Sequence, residues 1–558
     1  MRKIIKTIAI STFASSILLG TQLPSIGDIN RNIETPNIKT QKPLLPKIEA
    51  KEYKVPMLDT GKKVYIKDFQ IIGNQYIPSS DLEKFFVQFK DKELTFTQLQ
   101  DISGNITKYY REQGYFVARA YIPEQNIYEN NGVLEIAIIE GNYGEFHLKN
   151  SSLVKDRVLQ GMLDYAKRDD VVSTRTLEQS MLIINDTPGA VVTEAIVLPG
   201  SKVGTSDFEI KTQATPRYDG YIILDNQGSR YTGKNRLLAG INFNSPSGIG
   251  DKLSLNGLLS NDSNLKNGGI SYSLPLMSNG LRGELSYSQT NYSLVEEYAS
   301  LQALGVAKTL ETRFSYPITR TRIENLYANL SLITKDLKDE VGSVNYINKK
   351  DTKSLQIGLD YDKSYFTYGK KTNSKVSLNY TYGRLQFDNL VNELNDKNGA
   401  NTTGNYSKIN VELGNNIELN QNINWESSLR MQYALNNKNL DGSEDFSVGG
   451  AYGVRVYPDG ELSAENGYIF SSELKYKLPT YSAFDSSIGV FYDVGRAYMA
   501  NNKVNFESKT LQDIGIGYYV FYNDFFGKVQ FAWTLNSQEV TSEPSKNSRI
   551  LFQSGWIF

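Results

Sequence analysis

The chain contains no cysteine and a single histidine in 558 residues. The first absence removes disulfide staples and thiolate metal ligands, and the second removes His-based metal sites and serine–histidine triads. An excess of one charge sign is missing too. Sixty basic side chains face 61 acidic ones, so the net charge of −1 gives no pull toward nucleic acid. Beyond the N-terminus no stretch approaches about 18 consecutive apolar residues, the length that marks a membrane helix. If the mature chain is membrane-integral, it must therefore be so as β-structure.

The N-terminus itself has Arg2, Lys3 and Lys6 followed by an apolar run from Ile8 to Leu19. That is the layout of a signal peptide, assigned to residues 1–21, although Leu18-Leu19-Gly20-Thr21 offers no tidy small-x-small cleavage pattern. Residues 22–62 are polar and broken by Pro24, Pro36, Pro43, Pro46 and Pro56. They read as an extended linker with room for short helices only, such as Ile26 to Ile33, so a plug in this region stays an open possibility.

What is abundant is aromatic residues and glycine: 37 Tyr, 24 Phe and 44 Gly. A mean hydropathy of −0.40 is compatible with a membrane barrel, in which only alternate residues meet lipid. The last segment, Ile550 to Phe558, puts Ile550, Phe552, Trp556 and Phe558 on one face, as expected of a closing barrel strand that ends on an aromatic assembly signal (Trp556, Phe558). The same alternation occurs in Val529 to Leu535, Leu429 to Leu435, Leu326 to Leu332 and Val376 to Tyr382. A transmembrane strand needs roughly 9 to 11 residues. The span 214–558 then accommodates about 16 antiparallel strands with their loops.

Ahead of the barrel lie two units of similar order. Residues 63–142 read as a strand (Val64 to Ile71), a helix opening at Ser79-Ser80-Asp81, a second helix capped at Thr97 and ended by Gly114, then strands Tyr115 to Pro123 and Val133 to Glu140. Residues 143–213 repeat the order, with helices Val154 to Ala166 and Thr176 to Ile184 followed by strands Ala190 to Leu198 and Asp207 to Thr212. The fold class is thus α+β repeats followed by an all-β transmembrane barrel.

Ile72-Gly73-Asn74, Tyr110-Arg111-Glu112-Gln113-Gly114-Tyr115, Ile122-Pro123-Glu124-Gln125 and Ile139-Glu140-Gly141 resemble the first POTRA domain of two-partner secretion transporters. Leu182 to Gly189 and Leu198-Pro199-Gly200 resemble their second. The similarity continues at Asp225-Asn226-Gln227-Gly228, Gly248-Ile249-Gly250-Asp251 and Ser273-Leu274-Pro275-Leu276.

The long connection of about residues 439–467 contains Gly453-Val454-Arg455-Val456-Tyr457, and loops of that length are usually functional or disordered. In the strand that follows it, Glu473, Lys475 and Lys477 alternate with apolar residues. In the next, Phe491, Asp493 and Gly495 fall on the face opposite Ile488, Val490, Tyr492 and Val494, so parity turns them to the lumen. Both segments resemble the transporters' hallmark, a loop folded into the barrel whose tip arginine pairs with the aspartate of an inward Phe-x-Asp-x-Gly strand. The resemblance implies a lock formed by Arg455, Tyr457, Gly453, Phe491, Asp493 and Gly495. Val456 stands where the family's pattern has glycine.

The resemblance further implies an outer-membrane pore with its POTRA domains in the periplasm. Its partners would be a secreted exoprotein with an N-terminal secretion domain, outer-membrane lipid and the barrel assembly machinery, with no nucleic acid. β-Augmentation at exposed POTRA edges, Tyr115, Val117 and Tyr121 or Val191 and Val197, would recognise the cargo. No enzymatic activity, cofactor or metal is expected. Gly228 to Asn235 only approximates a phosphate-binding loop, since Asn235 replaces the hydroxyl residue that magnesium needs, and it reads as a hairpin turn. The alternatives are an assembly factor of the same superfamily, whose relatives usually carry three to five POTRA domains, and a passive porin or barrel enzyme.

Overall fold

A computed structural model describes residues 24–31, 45–50 and 62–558, apart from 482, 503–505, 537, 539, 541–542 and 544–545. The signal-peptide assignment and most of the linker lie outside the described residues.

The chain begins with a short helix, α1 (Ile26–Arg31), and a short strand, β1 (Ile48–Ala50). In the first α+β unit, the single strand expected from Val64 to Ile71 is two. β2 (Lys63–Ile66) and β3 (Asp68–Ile72) separate at Lys67, because β2 pairs with β4 (Lys92–Thr95) while β3 turns to pair in parallel with β6 (Val133–Ile139). After one helical turn, α2 (Ser79–Leu82), the long helix α3 (Phe96–Glu112) starts earlier than its sequence indicated. Its cap is Thr95 rather than Thr97, and Thr95 and Gln98 form a reciprocal capping box there. Leu99, Ile102, Ile106 and Tyr110 on one face of α3 bury against Leu134 and Ile136 of the sheet.

The second unit contains β7 (Asn142–Ser151), α4 (Asp156–Asp164), α5 (Thr174–Asn185), β8 (Val191–Pro199) and β9 (Thr205–Gln213). Its sheet runs β1-β8-β9-β7, so the segment ahead of the first unit supplies the outer strand of the second. Leu159, Met162, Leu163, Leu177, Met181 and Ile184 pack under Phe208 and Ile210 to form its core.

Sixteen antiparallel strands then close a barrel, as expected. The first eleven are β10 (Tyr218–Asp225), β11 (Arg236–Asn244), β12 (Lys252–Ser260), β13 (Leu265–Pro275), β14 (Arg282–Ser293), β15 (Ala303–Arg320), β16 (Glu324–Val341), β17 (Tyr346–Thr367), β18 (Lys370–Phe387), β19 (Gly404–Glu418) and β20 (Ile423–Ala434). Helix α6 (Leu390–Asn398) caps the connection between β18 and β19. Two short strands, β21 (Phe446–Ser447) and β22 (Ser463–Ala464), pair within the long loop. The wall resumes with β23 (Asn466–Lys477), β24 (Phe484–Tyr498), β25 (Thr510–Tyr522), β26 (Phe525–Thr534) and β27 (Ser548–Ile557).

The closing seam joins β27 to β10 from Tyr221↔Ile557 to Asp225↔Gln553. Beyond it, Gly220 and Phe558 exchange both main-chain bonds, at 2.8 and 3.0 Å. The outer face carries Ile550, Phe552, Trp556 and Phe558, all exposed and all of one parity. Charged and amide side chains such as Asn329, Glu473, Asp493 and Asp513 are buried on the inner face. Gly228 to Asn235 lies in the connection between β10 and β11, where Gly228 N–H donates to the Lys234 carbonyl at 2.9 Å, closing a turn.

Candidate functional site

The connection between β20 and β23 folds back into the barrel. Its two limbs are stitched by β21 and β22, and a tight series of turns forms the tip. Val448 N–H donates to the Leu462 carbonyl at 2.9 Å, Val454 N–H to the Val448 carbonyl at 2.8 Å, and Gly450 N–H to the Tyr457 carbonyl at 3.1 Å. Gly453 sits where the strand of the tip doubles back, and a β-carbon there would lie 2.0 Å from the Val448 carbonyl oxygen.

The tip presents Arg455 to the inner wall of β23 and β24. Its Nε lies 3.1 Å from Asp493 Oδ2, its terminal nitrogens lie 3.4 Å from Glu473 Oε2, and its Cζ stacks 3.9 Å from the centre of the Phe491 ring. Asp493 is fully buried and the Arg455 side chain is 11 % exposed, so this ion pair operates away from bulk water. Stacking on Phe491 fixes the plane of the guanidinium while the carboxylates fix its edge, two constraints that an ammonium cannot satisfy together.

Neighbouring residues extend the grip. Val456 N–H donates to Asp513 Oδ2 at 2.6 Å. The Tyr457 hydroxyl meets Thr534 Oγ1 at 3.0 Å and the Asn536 carbonyl at 3.2 Å, and Arg549 donates to the Tyr457 carbonyl at 2.8 Å. Gly495 makes room, since a β-carbon there would come within 2.4 Å of Val448 Cγ1. Val456 is absent from the residues with positive φ, so a β-branched side chain replaces the family's glycine without backbone strain.

Two participants were not singled out in the sequence. Asp513 stands directly opposite Asp493 on β25, and Glu473 accepts from Arg455 and from the Tyr519 hydroxyl. Glu473 was named on the charged face of its strand and Asp513 lies on β25, a segment the alternation had not marked, and nothing local identifies an inward carboxylate as a partner of a residue contributed by the loop. A second buried pair, Arg236 to Asp225 at 2.9 and 3.1 Å, holds the start of the barrel wall.

The recognition edges differ from their expected form. Tyr115 and Val117 precede a strand, β5, that spans only Arg119–Tyr121. The chain turns there because Val117 packs into the second unit's core and against Gly141, whose φ of +85° brings its backbone close. Of these three residues only Tyr121 lies on the strand, at the free edge of the β3-β6-β5 sheet. On β8, β1 already covers Ala195 to Val197 in parallel, so Val197 is not on an open edge and Val191 lies beyond the covered part.

Residues 204–519 match the family model described as haemolysin secretion/activation protein ShlB/FhaC/HecB, and residues 64–141 match that of the POTRA domain, ShlB-type. Among curated proteins the chain is similar to the heme/hemopexin transporter protein HuxB of Haemophilus influenzae, with 28% identity covering 91% of this chain and 92% of that protein. It is also similar to the hemolysin transporter protein HpmB of Proteus mirabilis, with 20% identity over 90% of each. Its fold matches the solved structure of CdiB from Escherichia coli at a TM-score of 0.73, with 19% identity, covering 90% of this chain and 93% of that one. With more than half of its length under one family model, the chain belongs to the haemolysin secretion/activation family, the outer-membrane β-barrel transporters of two-partner secretion.

Proposed function

We propose that this transporter captures an unfolded exoprotein in the periplasm by an N-terminal secretion domain, with residues 63–142 and 143–213 as its recognition POTRA domains. The barrel of residues 214–558 is the path, and the loop tip is a lock that holds the loop against the wall in the one position from which transport proceeds. The single observation that carries this reading is the Arg455 contact: one buried guanidinium at the end of a long loop, held by groups on the barrel wall. Breaking one such contact frees a whole segment lying in the lumen. Cargo of the class named for HuxB and HpmB, a heme/hemopexin-related or hemolysin-like exoprotein, is the best candidate.

The second unit supports recognition by strand addition, because β1 shows that the β8 edge accepts an extended segment. The exposed aromatic face of the closing strand supports contact with outer-membrane lipid, and its terminal Phe558 supports engagement by the barrel assembly machinery. No nucleotide site is required, since folding of the cargo outside disfavours its return. The test is secretion of the cognate exoprotein by cells carrying Arg455→Ala. Release of normal amounts of cargo from that variant would refute the lock.

A further inference from the structure

The loop is also held at its root, on a different arc of the wall from its tip. Asp441 Oδ2 accepts from Lys350 of β17 at 2.5 Å, and both side chains are only 7 % exposed. Glu444 accepts from Lys335 of β16 at 2.5 Å and from Lys408 of β19 at 2.8 Å. Main-chain bonds reinforce both ends of this clamp: Lys335 donates to the Ser443 carbonyl at 3.1 Å, and Gln432 to the Glu444 carbonyl at 2.8 Å. Three lysines from three strands thus converge on two carboxylates three residues apart in sequence, Asp441 and Glu444.

Helix α1 lies on the other side of this clamped turn. Arg31 donates to the Gly442 carbonyl on one limb of the loop and to Ser463 Oγ, at 3.1 Å, on the other. The contact is close enough to need glycine on both surfaces. A β-carbon on Gly27 would fall 2.7 Å from Ser443 N, and one on Gly442 would fall 2.6 Å from Asp28 Oδ1. The helix is pinned to the wall as well, through Ile26 N–H to Asp339 Oδ1 at 2.8 Å and Thr290 Oγ1 to Asn30 Oδ1 at 2.6 Å. Ile26 is fully buried among Leu265, Tyr292, Ala303 and Leu337.

We propose that the loop root is the seat of the N-terminal helix, with Asp441 and Glu444 as positioning residues: their ion pairs hold Gly442 and Ser443 where α1 docks, so helix occupancy of the lumen depends on the root clamp and not on the tip. Losing a root carboxylate leaves buried lysines unpaired and displaces the turn that Arg31 grips, without touching Arg455. The coupling is reciprocal, so losing the helix loosens the root by the same factor. This goes beyond the transporter reading and does not depend on the identity of the cargo.

Because the chain has no cysteine, a single Ile29→Cys in full-length protein reports the helix through its rate of labelling by a water-soluble maleimide. In that background Asp441→Asn and Glu444→Gln should each raise the rate by at least about tenfold, the change that a loss of only about 1.4 kcal/mol of seating would give. Arg31→Ala, which acts from the helix side, should raise it comparably, and Arg455→Ala should leave it unchanged. Where a root variant lowers the yield of folded barrel, Arg31→Ala supplies the same reading with the wall intact. Unchanged labelling in the root variants and in Arg31→Ala would overturn the proposal. So would an equal rise in Arg455→Ala, because it would show general loosening of the lumen rather than loss of a seat. Secretion is not the readout, so failure here is distinct from failure of the transport lock.

Discussion

At the scale of single residues, the arrangement around Arg455 sets an asymmetry. One guanidinium faces Asp493 and Glu473, and Asp513 stands directly across from Asp493. Arg455→Ala leaves these carboxylates together without their cation, whereas Asp493→Asn removes one of them and keeps Glu473 as a partner. Breaking a buried pair costs roughly 3 to 5 kcal/mol, so the arginine variant should be the more severe. Asp493→Asn placed in the Arg455→Ala background should add nothing or give partial relief. A double-mutant cycle on secretion measures this, and additive losses would show that the two residues act independently.

Glu140 offers a second test at the same scale. Its Oε1 accepts from Gln75 N–H and Tyr76 N–H at 2.9 Å each and from the Tyr110 hydroxyl at 3.0 Å. Burial, aided by that carboxylate, pushes the Tyr110 hydroxyl well above its ordinary range and keeps it a donor. Tyr110→Phe should destabilise the first POTRA unit by about 1.5 to 3 kcal/mol, the range for a bond to a charged group. Faster limited proteolysis near Tyr110 in the intact protein would show it.

At the scale of elements, period-2 alternation made the barrel strands legible, because lipid on one side and polar lumen on the other impose opposite demands on neighbouring residues. The same parity placed Phe491, Asp493 and Gly495 inward. What the sequence could not show was pairing between distant segments. Nothing in Ile48-Glu49-Ala50 announces that it will lie beside Ala195-Ile196-Val197, and the run from Tyr115 to Tyr121 reads as a strand although Val117 is drawn into the neighbouring unit. The cap of α3 lies two residues earlier than expected, at Thr95, because both threonines have a glutamine three residues on and the local pattern does not choose between them.

The closing strand carries a prediction of its own. A β-carbon on Gly220 would lie 2.6 Å from Phe558 Cζ, and the Phe558 ring packs 4.7 Å from that of Trp556. Gly220→Val should therefore lower the heat-modifiable, folded fraction much as deletion of Phe558 does. Transport per folded molecule should stay unchanged in both, because neither touches the loop. An unaltered folded fraction in both variants would show that this corner does not govern closure.

At the scale of the whole molecule, the proposed recognition by the α+β units requires a physical link to the pore. The second α+β unit is fastened to the turn between β15 and β16. Arg320 makes a two-pronged contact to Asp186 at 2.6 and 2.9 Å, and Arg322 reaches Glu178 at 2.6 Å. Arg322 also donates to the carbonyls of Leu45 and Pro46, at 3.0 and 2.9 Å, just ahead of β1. One barrel turn therefore holds both the unit that carries the β8 edge and the segment that covers part of it. Deleting residues 64–212 should abolish secretion while the barrel still assembles, because strand pairing and the closing seam lie outside the deletion. Arg320→Ala is the finer test. It leaves both bodies folded and removes the two-pronged bond to Asp186, together with the bonds Arg320 makes within its own turn to the Thr321 carbonyl and Asn325 Oδ1. Secretion should fall several-fold with cargo binding intact, and pull-down of the cargo's N-terminal domain measured beside secreted yield separates the two. Equal loss of binding and secretion would place the contact in recognition, and no loss of either would show that the units work without a fixed orientation to the barrel.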